Sequence, residues 1–300
     1  MRPARVVPRR RWSPPWSQVL AGLVILLGLG IFLYPQAASW FSQRDQSRVT
    51  EAARELLDQP PHDEASYRDE QIELAHQYNQ ALASGAVLAA NSRVPTGRDT
   101  GAEAVLAYAS LLDVGPSGLM GRLQYTALEI DLPIYHGTSD DTLLHGVGHL
   151  EGTSLPVGGA GTRSVLTAHR GLPTSRLFND LDRAALGDTV TVTVLDRVIS
   201  YRVIDVTVVE PDASEAIWPE PDRDLITLVT CTPLGINTHR ILVTAERITP
   251  TPPLQAEAAA ADPELPGFPW WAVWLGAGVL VVAGYVWWSG RGPAPGSSSS

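Results

Sequence analysis

Lysine is absent from all 300 residues, and cysteine occurs once, at position 231. Without lysine the chain offers no side-chain amine to any reaction, and "GGAGTR", 158–163, lacks the lysine of a phosphate-cradling loop. A lone cysteine excludes an intramolecular disulfide and leaves no paired ligand spacing for zinc. No metal and no cofactor is therefore expected. Acidic residues are missing from both chain ends: all 32 lie between residues 35 and 267, where 16 arginines leave a formal charge of −16. A domain that acidic repels nucleic acid, which demands a basic stripe.

Two long uncharged runs are present. "WSQVLAGLVILLGLGIFLY", 16–34, and "FPWWAVWLGAGVLVVAGYVWW", 268–288, have 19 and 21 residues. At about 1.5 Å per residue each can cross a hydrocarbon core of about 30 Å. Arg2, Arg5, Arg9, Arg10 and Arg11 precede the first run and Arg291 follows the second. Positive flanks stay in the cytoplasm, so both termini are expected there, in a cell-membrane protein whose residues 35–267 lie outside the cell. The first run has a second reading as a cleaved signal peptide. It exceeds the roughly 7–15 residues of a signal core, and no small-residue cleavage site follows it clearly.

Between the runs the periodicity changes once. Residues 1–15 form a basic cytoplasmic tail and 16–34 a transmembrane helix, and 35–119 read as a helical stalk with a possible lid region. "QSRVTEAARELLDQ" carries Val49, Ala52, Ala53, Leu56 and Leu57 at helical spacing, and Pro60–Pro61 ends that segment. "EASYRDEQIELAHQYNQAL" resumes it, and "NSRVPTGRDTG", 91–101, is a polar loop. Residues 120–248 are rich in Val, Ile and Thr and alternate as short strands, with a hairpin around Leu195–Arg197 and one short helix in "SRLFNDLDRAA", 175–185. Many short strands joined by Gly and Pro turns indicate an antiparallel-dominated barrel or sandwich. Asp140 and Asp141 in "SDD" read as a solvated turn, two adjacent carboxylates being few for the roughly 6–8 oxygens of a calcium site. Residues 249–267 are a Pro- and Ala-rich linker, 268–288 the second transmembrane helix and 289–300 a cytoplasmic tail.

In "DLITLVTC" alternation puts Leu225, Thr227, Val229 and Cys231 on one face. If Arg240 opens an antiparallel return strand, thiol and guanidinium emerge at the same end of the sheet. The thiol has three readings: a buried inert group, an intermolecular bridge, or a nucleophile. A nucleophile needs an activating partner, because free cysteine titrates near about 8.5. His62 and His76 fall in the helical stalk, His136, His145 and His149 in a glycine-rich loop, and His239 beside Arg240. His169 differs, since "SVLTAHRGL" places it at the end of a β-run with a turn beginning two residues later.

"TLVTC", with histidine 62 positions upstream of its cysteine and arginine nine positions downstream, resembles the sortases, bacterial surface transpeptidases. The likeness runs through about residues 120–248. "GHLEGTSLPVGG", "AHRGLP" and "TCTPLGINTHR" are similar to the class C, pilus-assembling branch. The resemblance implies a mainly β chain with short helices. Its eight-stranded barrel would follow an N-terminal helical segment and lie between two membrane helices, in a Gram-positive type of bacterium. It implies that Cys231 is the nucleophile, His169 the acid/base, and Arg240 the group steadying substrate and tetrahedral intermediate; Thr230 is read as shaping the strand end. The implied donor partners are LPxTG-type pilin or surface-protein precursors, cleaved between Thr and Gly. The implied acceptor is an amine, either a pilin lysine or a peptidoglycan precursor. With no lysine of its own, the enzyme escapes self-ligation by that route. A housekeeping sortase that anchors proteins to peptidoglycan and a non-catalytic membrane-tethered surface domain are the alternatives. Class C enzymes commonly carry a lid with Asp-Pro followed by an aromatic; 91–101 has no such tripeptide, and Asp262–Pro263 lies in the distal linker.

Overall fold

A computed structural model describes residues 12, 15–83, 108–115, 118–263 and 265–291. The 91–101 loop, and with it any lid there, lies outside the described residues. The chain divides into two compact units, one of residues 1–40 with 267–300, the other of residues 41–266.

Two helices begin the second unit's course. Helix α1, Trp16–Leu57, enters it at Phe41, and α2, Ala65–Ala83, follows the break at Pro60–Pro61. The barrel then closes from eight strands: β1 Leu119–Tyr125, β2 Ile130–His136, β3 Val147–His149, β4 Thr162–Thr167, β5 Thr189–Val194, β6 Arg197–Val209, β7 Asp224–Thr232 and β8 His239–Arg247. Their order around the wall is β1-β2-β3-β4-β7-β8-β6-β5. Antiparallel pairing dominates, but β2–β3 and β4–β7 are parallel. Closure leaves no edge strand exposed to stray pairing. Leu166, Ala168, Ile226, Leu228, Ile241, Val243 and Ala245 fill the interior from β4, β7 and β8. Burying each large aliphatic side chain contributes about 1.5–3 kcal/mol.

Two local expectations are corrected. The 175–185 stretch is not a helix but a loop with one 3-10 turn at Leu181–Arg183. Leu177 there has φ 38°, and the Phe178 amide donates to the His169 carbonyl at 3.2 Å, bonds incompatible with a continuous helix. Conversely, "SDD" opens a short helix, α3, Asp140–His145. The Ser139 hydroxyl accepts from the Thr142 amide, and two carboxylates occupy the first turn, where the helix dipole favours them.

The linker is partly ordered as α4, Pro253–Ala260. The Arg122 guanidinium donates to the carbonyls of Ala259 and Ala261 at the end of this helix, while pairing with Asp131 at 2.6 Å. In the other unit, α1 and α5, Trp270–Ser289, are both long and apolar enough to cross a membrane. They approach closely where glycine permits it: a Cβ on Gly22 would meet Val282 at 2.7 Å, and one on Gly278 would run into Leu29.

Candidate active site

Strands β4 and β7 run parallel, with Thr167 beside Val229. Beyond that pair the Ala168 amide donates to the Val229 carbonyl at 3.2 Å, and the buried Thr230 hydroxyl donates to the Ala168 carbonyl at 2.8 Å. These bonds keep the strand ends in step as far as His169 and Cys231. On the other side of β7, Cys231 stands directly opposite Arg240 of β8, and Arg240 stands opposite Val209 of β6. Adjacent strands are about 4.8 Å apart. Histidine, cysteine and arginine therefore form one row across three neighbouring strands.

The row faces outward. Alternation sends Ala168, Thr230 and Ile241 to the interior, and His169, Cys231 and Arg240 to a cavity of about 360 Å³ on the outer wall. Thr138, Leu143 and Leu150 line it on one side, and Glu210, Ser214 and Ile217 on the other. Cys231 is half-buried and lines the cavity, which is not the sealed position of an inert core thiol.

Several groups outside the sequence reading hold this geometry. Arg170, next to His169, has a side chain only 6% exposed. It donates to the Asn179 carbonyl at 2.9 Å and the Thr232 hydroxyl at 3.2 Å, and pairs with Asp182 at 2.5 Å. One guanidinium thus fastens the residue after His169 to the residue after Cys231. Arg163, on the same outer face of β4, donates to the Ala216 carbonyl and pairs with Glu220 at 2.6 Å, pinning the β6–β7 connection over the cleft. Burial lowers its pKa, opposed by the Glu220 charge. "HR" was a visible signal for Arg170; nothing local in the sequence announces Arg163.

Arg240 donates through Nη1 to the Asn237 and His239 carbonyls at 3.0 Å each. These bonds aim the guanidinium and occupy few of its five N–H donors. His239 turns away to pair with Glu210 at 3.2 Å. His149 and His136 are structural. His149 is fully buried, between the Tyr108 hydroxyl at 2.8 Å and the Ser154 carbonyl at 2.9 Å, and burial pushes its pKa down to about 4. Both ring nitrogens of His136 face carbonyls, of Gly118 and Leu111. Among the described residues no cluster of His, Cys, Asp or Glu could hold a metal ion.

Comparison with known proteins adds the lineage. A family model described as "Sortase domain" matches residues 123–248. The crystal structure of sortase C-1 from Actinomyces oris is 40% identical, covering 60% of this chain and 98% of that one, with TM-score 0.51. The chain belongs to the sortase family. Sortase C from Streptococcus pneumoniae, described with insights into catalysis and pilin substrate specificity, is 36% identical over 69% of this chain and 99% of its own, with TM-score 0.57. Among curated proteins, Sortase A of Streptococcus agalactiae serotype III (strain NEM316) is 32% identical over 131 residues, 43% of this chain. The match spans only about half, 52%, of that relative's length. The sortase region holds all eight strands of the barrel, apart from the first residues of β1.

Proposed function

We propose that this sortase is a membrane-anchored cysteine transpeptidase. On this reading it cleaves an LPxTG-like sorting signal between Thr and Gly and passes the acyl group to a pilin lysine. The observation that carries the reading is the convergence of His169, Cys231 and Arg240 on one cavity, from adjacent strand ends. The Cys231 sulfur attacks the Thr carbonyl, and the proton shared with His169 ends on the departing glycine amine. Arg240 donates to the oxyanion; one such donor contributes about 3–4 kcal/mol to the transition state. An amine then attacks the thioester, and the sulfur leaves. The class C neighbours, one of them described in terms of pilin specificity, support lysine as that amine. The arginine-flanked apolar runs support a fold held outside the cell with both termini in the cytoplasm.

The test uses the full chain in detergent with an LPxTG peptide and either a pilin or a peptidoglycan-type amine. Mass spectrometry should show a thioester on Cys231, absent in Cys231→Ala, and isopeptide product with the pilin. Product with the cell-wall amine alone would reassign the enzyme to surface-protein anchoring. Unchanged product from Cys231→Ala would remove the mechanism.

A further inference from the structure

Among the described residues, Glu210 is the only carboxylate lining the cavity that holds His169, Cys231 and Arg240. It follows Val209, which lies opposite Arg240, so it stands at the end of the reactive row away from His169. One of its oxygens, Oε1, faces Nε2 of His239 at 3.2 Å. A carboxylate carries two oxygens and about four acceptor sites, so a second donor can bind without displacing the first. Its side chain is 67% exposed, open to a partner arriving from solvent. Arg240, the other charged residue of the cavity lining, is cationic and would not attract a cation.

The two substrates of a transpeptidase differ in charge at the reacting atom. The donor presents a neutral peptide carbonyl. A lysine acceptor arrives as an ammonium, since its amine titrates near about 10.4. We propose that Glu210 is the acceptor-ammonium subsite, a specificity-determining carboxylate that holds the incoming amine beside the thioester; this rests on the transpeptidase reading above. Passed on from Glu210 to the thioester at Cys231, the ammonium gives one proton to His169 there, and its lone pair then forms the C–N bond as the C–S bond breaks. Of its three protons, one stays on the amide nitrogen, one reaches the sulfur by way of His169, and one goes to solvent.

The full chain is given an LPxTG peptide and one of two acceptors: a lysine-containing peptide, cationic near neutral pH, or hydroxylamine, which is uncharged there. Glu210→Gln should raise KM for the lysine peptide roughly two- to fivefold, the range set by an exposed ion pair. The ratio of lysine to hydroxylamine product should fall with it, and Glu210→Arg should lower that ratio further. In the wild type, added salt should erode the same ratio, a readout that needs no variant. An unchanged ratio in Glu210→Gln, or no salt dependence in the wild type, overturns the subsite while leaving the transpeptidase in place. Absence of any acyl-enzyme in the wild type overturns both.

Discussion

Arg170 makes the sharpest test of how the row is held together. Its side chain holds three partners, the Asn179 carbonyl and Asp182 carboxylate of one loop and the Thr232 hydroxyl at the end of β7. Arg170→Ala deletes two hydrogen bonds from a charged donor, each contributing roughly 1.5–3 kcal/mol. Asp182 is about half exposed and regains water, so its share is discounted. A loss of about 3–6 kcal/mol in stability follows. The functional effect is separate, because Thr232 and Arg170 each adjoin a member of the proposed reactive pair, Cys231 and His169. A displacement of about 1 Å between reacting groups costs about a hundredfold in rate. Urea unfolding of the full chain and steady-state cleavage of an LPxTG peptide measure the two effects independently. Expected are a lower midpoint, kcat down by about ten- to a hundredfold, and KM little changed. Arg170→Lys should recover part of the stability but not the rate, since an ammonium cannot reach along both Nε and Nη directions. A destabilised Arg170→Ala with wild-type kcat would show that the fastener does not set the spacing of His169 and Cys231.

His149 titrates near about 4 in the fold against about 6.5 unfolded, so the unfolded chain binds more protons between those values. Stability should be complete above about pH 6.5 and fall by roughly 3 kcal/mol as pH drops towards 4; His149→Gln should flatten that slope in a pH series of unfolding curves. Thr230→Val removes the 2.8 Å bond to the Ala168 carbonyl inside the barrel, and denaturant unfolding should show a loss of roughly 1–3 kcal/mol. In Gly121→Ala the new Cβ would meet the Thr193 carbonyl oxygen at 2.5 Å, so β1 and β5 must separate; about 1–3 kcal/mol should be lost, read as a lowered melting temperature.

The strand pattern was legible because its period of two matches a wall with one face buried and one face covered or wet. The same alternation placed Cys231 and Arg240, since a short loop between two β-runs forces antiparallel return and fixes which end they share. His169 was harder. Its neighbour Cys231 lies 62 positions away on a parallel strand, and parallel pairing leaves no turn signature in the intervening chain. Its place at the end of a β-run set it apart from the other histidines, and the family likeness settled the choice. The 175–185 loop misled because its apolar residues sit at near-helical spacing. Their actual bonds run to the His169 carbonyl and, through Asn179, to the Gly171 amide, partners that no local window contains. The Ser139 cap was a missed signal of the opposite kind, fully local and readable from Ser-Asp-Asp-Thr.

A closed, side-chain-filled barrel has no interior cleft, so a reactive row on its wall must be roofed from outside. Arg163 supplies that fastening by holding the Ala216 carbonyl and Glu220 against β4, on the outward face that two strides later carries Thr167 and then His169. The β6–β7 connection thereby brings Glu210, Ser214 and Ile217 to the cavity opposite Thr138 and Leu143. One wall thus depends on a buried ion pair remote from the sulfur, and Glu220 is its half-exposed partner. Loss of Glu220 would leave the Arg163 charge buried beside Thr227 without its counter-ion, a state costing about 3–5 kcal/mol where no water can enter. The half-exposed site lowers that cost, so Glu220→Gln should loosen the roof before it unfolds the barrel. A rise in KM for the sorting peptide with little change in melting temperature would follow; a melting shift with unchanged KM would place the pair in the barrel's stability alone.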